Sequence, residues 1–173
     1  QAKLLHGDRG RITASLIEEN INGNYDWLTK TSLVCLENTV NRAGGSYYQL
    51  DEMLKISTLC KEKQLGFHLD GARLFNALVE TKESTIDVGN AFDSISICLS
   101  KGLGAPVGSL LLGTTDFIKK ARRVRKVFGG GMRQAGFLAA AGIYALDNNI
   151  NRLTEDHQRA KQIESILTEL PYV

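Results

Sequence analysis

Residues 95–108 read ISICLSKGLGAPVG, and the fold can be worked out from this segment. Its first five residues are mainly apolar, which favours a β-strand that runs toward Lys101. Three glycines follow this lysine within seven residues. Glycine is common where the backbone turns with a positive φ or lies close to a ligand. The stretch therefore predicts a strand that ends at a lysine in a glycine-rich loop.

Two earlier segments are also short and mostly apolar. Residues 33–36 read LVCL, as expected for a strand buried on both faces of a sheet, and residues 65–69 read LGFHL. A further strand is predicted at residues 109–112. Apolar residues at helical spacing predict helices at residues 13–21, 50–64, 72–79, 115–127, 133–148 and 151–170. Because strands alternate with helices, the sequence predicts an α/β fold with a mainly parallel sheet flanked by helices.

Length, composition and charge exclude several classes of protein. The chain has 173 residues, of which 43% are hydrophobic and 23% charged, so it is neither disordered nor a bare peptide. Its net charge of +2 is too small to draw it to nucleic acid or to a membrane surface. No apolar run approaches the ~20 residues of a membrane span, and no signal peptide is recognisable, so we expect a cytosolic location. The scattered histidines and cysteines predict no metal site.

A basic run at residues 119–126 has six Lys or Arg side chains in eight residues. Such a run is compatible with a nucleic-acid patch. However, Ala121, Val124 and Phe128 recur at helical spacing around it. We therefore favour a helix with one packed side and one solvated, charged side, and we expect no nucleic-acid partner.

Charged residues follow the predicted strands at the positions where parallel sheets bind ligands, the carboxyl ends of their strands. Glu37 follows the first strand, Asp70 and Arg73 follow the second, and Lys101 follows the third. Taken singly, Asp70 is also compatible with a helix N-cap and Lys101 with an ordinary exposed lysine. Their joint occurrence predicts one crevice that holds a carboxylate, a guanidinium and an amine. The glycine spacing around Lys101 does not fit a dinucleotide-binding loop.

Five motifs together resemble the low-specificity threonine aldolases of the beta-eliminating lyase family. They are LENT at 36–39, HLDGARLFNA at 68–77, SICLSKGLGAPVGS at 96–109, RKVFGGGMRQ at 125–134 and AAAGIYAL at 139–146. The resemblance implies an aspartate-aminotransferase-like fold and the cofactor pyridoxal 5′-phosphate. It also implies cleavage of 3-hydroxy amino acids, such as L-threonine and L-allo-threonine, to glycine and an aldehyde.

The same resemblance implies roles for five residues. Lys101 matches the lysine that holds the cofactor as a Schiff base, and Asp70 matches the acid that pairs with the pyridine nitrogen. Arg73 matches an arginine beside the cofactor's phenolic oxygen or the substrate carboxylate. Lys126 and Arg133 match residues near the active site that position the substrate or the cofactor phosphate. The family resemblance also implies a homodimer or homotetramer, with these two residues reaching the site across a dimer interface.

The resemblance further implies that the chain is an internal segment of a longer enzyme. Residues 1–150 would form the central part of the cofactor-binding large domain of fold type I enzymes. Residues 151–173 would form an interdomain helix and the start of a small domain, with a new strand beginning at Pro171. Because further cofactor and substrate ligands of the family lie outside these 173 residues, we expect the segment alone to bind cofactor weakly. Val40 also replaces a histidine that many relatives have.

Two alternatives to an aldolase stay open at this point. The first is a lyase of the same fold that eliminates a β-substituent from an amino acid, using the same Lys101 and Asp70. The second is a non-enzymatic scaffold that keeps only the sheet. An aldolase or an eliminating lyase needs the lysine amine, whereas a scaffold does not.

Overall fold

Four strands form one sheet in the order β1–β2–β3–β4 in the computed structural model, which describes residues 2–171. The strands are β1 (Leu33–Glu37), β2 (Gly66–Gly71), β3 (Ser94–Cys98) and β4 (Ser109–Gly113). β1, β2 and β3 are parallel, and β4 pairs with β3 in the antiparallel direction. The predicted α/β fold with a mainly parallel sheet is confirmed.

Seven α-helices accompany the sheet within residues 2–171. They are α1 (Ala14–Glu18), α2 (Leu50–Glu62), α3 (Leu74–Thr81), α4 (Thr85–Ala91), α5 (Thr115–Val127), α6 (Gly136–Asn148) and α7 (Leu153–Thr168), with a short 3-10 turn at Asn41–Ala43. The sequence did not predict α4, whose N-cap Ser84 accepts hydrogen bonds from the backbone N–H groups of Ile86 and Asp87. The expected strand at Pro171 extends into Tyr172 and Val173, which lie outside the described residues.

The main core lies on one face of the sheet. Alternate side chains of the parallel strands, such as Leu36, Leu69 and Ile97, pack with Met53 and Ile56 of α2 and are at most 7% exposed. This alternation is the two-residue period of a strand with one buried face. The hydrophobic effect of this burial holds the helices against the sheet.

The opposite face of β1 is open, contrary to the prediction of a strand buried on both faces. Leu33 is 55% exposed and Cys35 is also exposed, while Val34 and Leu36 between them are buried. Every residue of β4 is exposed as well. Within residues 2–171, no helix packs over the side chains of β1 on this face.

A second, smaller core joins the loop after β3 to the last two helices. It consists of Leu99, Leu103, Ala105, Ala145 and Leu153, each at most 7% exposed. Phe75 and Val79 of α3 pack against its edge. This core fixes the loop that carries Lys101 against α3, α6 and α7.

The basic helix α5 differs from its prediction. No residue of α5 is buried, although Ile118 and Ala121 are half-buried. Val124 and Phe128 are 54% and 84% exposed, so this part of the expected packed side is not packed within the residues described. The helix approaches β4 at its first turn, where a Cβ on Gly113 would lie 2.7 Å from Cδ1 of Phe117. No helix within residues 2–171 has the length and hydropathy to cross a membrane.

Substitution of Leu69 by Ala tests the main core. Leu69 is fully buried in β2, so Leu69→Ala should lower the free energy of unfolding by about 2–5 kcal/mol. Leu54→Ala is the matched control, because Leu54 lies on the exposed side of α2 and is 45% exposed. Chemical denaturation monitored by circular dichroism measures both values. Equal losses in the two variants would contradict this description of the core.

Candidate active site

The carboxyl ends of three neighbouring strands meet at one edge of the sheet. Glu37 of β1 pairs with Asp70 of β2, and Asp70 pairs in turn with Ser96 of β3. The backbone N–H of Asn38 donates a hydrogen bond of 2.9 Å to the carbonyl oxygen of Asp70, which extends the pairing past the end of β1. In open α/β sheets this edge is where ligands bind.

Asp70 does not cap a helix, so the N-cap alternative is wrong. It lies within β2, and α3 begins only at Leu74 with Arg73 in the N-cap position. The Asp70 carboxylate accepts a hydrogen bond of 3.1 Å from the backbone N–H of Ala72, which forms a local turn between strand and helix. The side chain remains exposed at the strand end. It is therefore accessible to a positively charged or proton-bearing partner.

The negative charge of Asp70 acts on the open face of the sheet. Partial burial and then the nearby Asp70 carboxylate raise the pKa of the Cys35 thiol in β1. Cys35 pairs with His68, two residues before Asp70 on the same side of β2. The charge of Asp70 thus reaches the neighbouring strand, and an exposed carboxylate of this kind can pair with a cation or a protonated nitrogen.

Lys101 lies in a loop that is closed by two backbone hydrogen bonds. The N–H of Ala105 donates to the carbonyl of Leu99 at 3.0 Å, and the N–H of Gly104 donates to the carbonyl of Lys101 at 2.8 Å. The lysine side chain itself is exposed. Among residues 2–171, neither Lys101 nor Asp70 nor Arg73 takes part in an ion pair. An amine, a carboxylate and a guanidinium thus lie at strand ends without ionic partners.

Two glycines of the motifs have packing roles that the sequence did not indicate. A Cβ on Gly71 would lie 2.8 Å from the carbonyl oxygen of Ser96, across the β2–β3 pair. A Cβ on Gly102 would lie 2.8 Å from Cδ2 of Leu153 at the start of α7. A side chain is excluded at Gly71, where the near atom belongs to the backbone, whereas at Gly102 it would require the end of the Leu153 side chain to shift. Close approach to a ligand is therefore not needed to explain either glycine.

Arg73 lines a cleft of about 500 Å³ between the loop after β1, the start of α3, and α7. Tyr47, Asn76 and His157 are among its other lining residues, whereas Asp70 and Lys101 do not line it. The structure thus places Arg73 at a cavity beside the strand ends. The guanidinium suits a carboxylate or phosphate because it can donate two parallel hydrogen bonds.

Glu80 connects the two helical walls of this cleft. Its carboxylate lies 3.5 Å from Nζ of Lys161 and 3.3 Å from Nδ1 of His157, both on α7. The charge of Lys161 is the main cause that holds the pKa of Glu80 below its ordinary value, and the hydrogen bonds from Lys161 and His157 act in the same direction. These contacts attach α7 to α3. Among residues 2–171, Glu80 forms no ion pair with Arg73.

Lys126 and Arg133 make no contact with this edge by hydrogen bond or ion pair within the described residues. Lys126 lies in the last turn of α5, where a Cβ on Gly131 would lie 2.8 Å from its Cδ atom. Arg133 is exposed in the segment before α6. In residues 2–171, no hydrogen bond or ion pair joins either side chain to Asp70, Arg73 or Lys101. Their expected place near the active site stays a prediction.

Two asparagines near the site were not singled out from the sequence. Asn38 is 1% exposed at the end of β1, and its Oδ1 has no hydrogen-bond partner within residues 2–171. Asn149 follows α6, and its side chain donates to the loop that carries Lys101. An asparagine just after a helical segment signals a helix end. The signal does not reveal which loop the side chain contacts.

Comparison with known proteins gives a match over the whole chain. The beta-eliminating lyase family matches residues 1–173. A relative from Schizosaccharomyces pombe, named probable low-specificity L-threonine aldolase, is 46% identical over 153 residues, which are 88% of this chain. The low specificity L-threonine aldolase of Escherichia coli strain K12 is 49% identical over 140 residues, or 81% of this chain.

The aligned regions are 40% and 41% of these two relatives, so the chain spans less than half of their length. Among solved structures, a threonine aldolase from Leishmania major is similar with a TM-score of 0.80 and 26% identity. That match covers 93% of this chain and 48% of the other. It confirms the fold that the motifs predicted.

The contact between α3 and α7 should depend on pH through Glu80. Because the folded state lowers the pKa of Glu80, its charged form stabilises the fold above the ordinary value of 4.5. This contribution is lost as the pH falls through the lower, folded-state pKa. Glu80→Gln should therefore lower the free energy of unfolding at pH 7, and the difference from the unsubstituted protein should disappear near pH 3.

Glu164→Gln is the control for this prediction. Glu164 also lines the cleft from α7, but it forms no ion pair within residues 2–171. Urea denaturation at both pH values gives the comparison. A Glu80→Gln effect that is equally large at pH 3, or equal to that of Glu164→Gln at pH 7, would show that the carboxylate charge does not hold α7.

Proposed function

The chain belongs to the beta-eliminating lyase family, and we propose that its protein is a pyridoxal 5′-phosphate-dependent threonine aldolase. The proposed reaction breaks the Cα–Cβ bond of L-threonine, L-allo-threonine and related 3-hydroxy amino acids, and it yields glycine and an aldehyde. The observation that carries the proposal is that Asp70 ends β2 and the loop of Lys101 follows the neighbouring parallel strand β3, with neither side chain in an ion pair among residues 2–171. The names of the similar proteins supply the reaction class.

The chemistry of these side chains fits the proposed cofactor. Lys101 would hold it through Nζ, since a lysine amine can bond covalently to an aldehyde. Asp70 would hold a proton at the pyridine nitrogen, because its carboxylate is exposed at the end of β2 and can accept a hydrogen bond from a protonated nitrogen. When bound, the cofactor supplies an electron sink for the charge released at the substrate Cα. The buried, unpartnered Oδ1 of Asn38 is a further polar group at this edge.

Arg73 would bind the substrate carboxylate. Of the two roles that the resemblance left open, we assign this one because Arg73 lines the cleft of about 500 Å³. The arginine therefore has open volume beside it in which a small amino acid fits. Its guanidinium would orient the substrate by two charge-assisted hydrogen bonds.

The remaining parts of the proposal concern the whole protein. Lys126 and Arg133 would position the substrate or the cofactor phosphate from a neighbouring subunit of a homodimer or homotetramer. Exposed apolar side chains in the same part of the chain, such as Phe128 and Phe137 at 84% and 93% exposure, support contact of this surface with further protein, either of the same subunit or of a neighbouring one. The expected division into a large domain up to residue 150 and an interdomain helix after it stays a prediction, as does the cytosolic location.

Replacement of Lys101 tests the reaction. In the full-length protein, Lys101→Ala should remove the visible absorption of the lysine-bound cofactor and lower the rate of glycine formation from threonine by several orders of magnitude. Lys61→Ala, at an exposed position of α2, is the matched control and should change neither quantity. Full activity of Lys101→Ala would contradict the assignment and favour the non-enzymatic scaffold.

The product separates the two lyase reactions. The unsubstituted full-length protein should form glycine from threonine faster than it forms pyruvate from an amino acid with a good leaving group on Cβ. Both products are measured on the same preparation. Pyruvate formation without glycine formation would show that the protein is a β-eliminating lyase and not an aldolase.

Replacement of Arg73 tests the substrate contact. Arg73→Gln should raise the KM for threonine about 10- to 100-fold, the effect of losing hydrogen bonds to a charged group, and leave the cofactor absorption unchanged. Arg42→Gln is the control, because Arg42 is exposed in the 3-10 turn after β1 and does not line the cleft. An altered absorption spectrum with an unchanged KM would instead assign Arg73 to the phenolic oxygen of the cofactor.

A further inference from the structure

The loop that carries Lys101 is held by a side chain from a distant part of the sequence. Nδ2 of Asn149 donates a hydrogen bond of 2.7 Å to the carbonyl oxygen of Leu103, two residues after Lys101. The two residues are separated by 46 positions along the chain. The bond joins the carboxyl end of α6 to a loop that has no regular secondary structure of its own.

Both partners of this bond are fixed in place. The backbone N–H of Asn149 donates to the carbonyl of Ala145 at 2.9 Å, so the asparagine forms the C-cap of α6. Leu103 is 3% exposed, and its side chain belongs to the smaller core with Ala145. A hydrogen bond between two such anchored groups restrains the backbone between Lys101 and Ala105.

The neighbours of the bond restrain the loop further. Gly104 has a φ of +74°, and its N–H closes the turn onto the carbonyl of Lys101 at 2.8 Å. Leu153, only four residues after Asn149, is 1% exposed and fills the space beside Gly102. The α6–α7 junction therefore contacts the residues on the carboxyl side of Lys101 at two points, and only the contact from Asn149 is a directional hydrogen bond.

We propose that Asn149 is a positioning residue for Lys101. Its side-chain amide sets the conformation of residues 101–105, and through that conformation it places Nζ of Lys101 for covalent bonding to the cofactor. The placement of Lys101 for bonding to the cofactor rests on the proposed function. The effect of Asn149 on the conformation of residues 101–105 does not, and it can be measured without any cofactor.

Asn148 provides a matched control. It is the same residue type at the adjacent position, but its Nδ2 donates to the carbonyl of Tyr144 within its own helix at 2.9 Å. Asn148 is exposed and makes no contact with the Lys101 loop by hydrogen bonding. A general effect of an asparagine substitution at the end of α6 would therefore be the same in Asn148→Ala and Asn149→Ala.

Hydrogen exchange in the cofactor-free, full-length protein tests the loop. Asn149→Ala should speed the exchange of the Gly104 amide about fivefold, the effect of losing one hydrogen bond that restrains the turn. Exchange in β1 and β2 should stay unchanged, as should exchange of the Gly104 amide in Asn148→Ala. Asn149→Gln, which keeps the amide donor, should restore part of the protection.

The rate of covalent bonding tests the effect on Lys101. After mixing cofactor-free protein with pyridoxal 5′-phosphate, the visible absorption of the lysine-bound cofactor should appear about fivefold more slowly in Asn149→Ala than in Asn148→Ala. Unchanged Gly104 exchange, an increase spread equally over β1 and β2, or faster loop exchange with an unchanged bonding rate would each overturn the proposal. If the absorption never depends on Lys101, the proposed function fails, while the exchange result still decides whether Asn149 holds the loop.

Discussion

The parallel pairing of β1, β2 and β3 is the constraint on which the rest of the site depends. Glu37, Asp70 and Ser96 lie side by side across these strands, with about 5 Å between neighbouring strands. The pairing is stabilised by backbone hydrogen bonds and by the apolar side chains on the covered face. A slip of one residue in β2 would move Asp70 to the covered face and bury its charge at a large cost in free energy. The hydrophobic pattern of β2 therefore determines where the carboxylate lies.

The second constraint is the smaller core around Leu103 and Leu153. It joins the Lys101 loop to helices that occur about 45 residues later in the chain. The glycine at position 102 suits this packing, because a Cβ there would lie 2.8 Å from Cδ2 of Leu153 and would require that side chain to shift. The lysine thus stands on an irregular segment whose backbone is nevertheless fixed. Such an arrangement lowers the conformational entropy that a reactive side chain loses when it bonds to a ligand.

Much of this arrangement could be predicted from local sequence. Apolar runs of four or five residues predicted the strands, and their ends predicted the positions of Asp70 and Lys101.

The antiparallel direction of β4 could not be predicted, since a short apolar run has no direction. The cleft beside Arg73 depends on contacts between α3 and α7, and the hydrogen bond of Asn149 spans 46 residues. Such contacts arise from tertiary packing, which the spacing of residues in one segment does not encode. The exposure of α5 likewise depends on which surfaces cover it, and helical periodicity alone does not specify them.

The most direct test of the account is a crystal structure of the full-length protein grown with pyridoxal 5′-phosphate. We expect continuous electron density between Nζ of Lys101 and the cofactor, with the Asp70 carboxylate within hydrogen-bond distance of the pyridine nitrogen. We also expect the Asn149 side chain to contact the carbonyl of Leu103 in that structure. Density joining the cofactor to a different lysine, or a pyridine ring remote from Asp70, would contradict the central claim that these strand ends form the cofactor site.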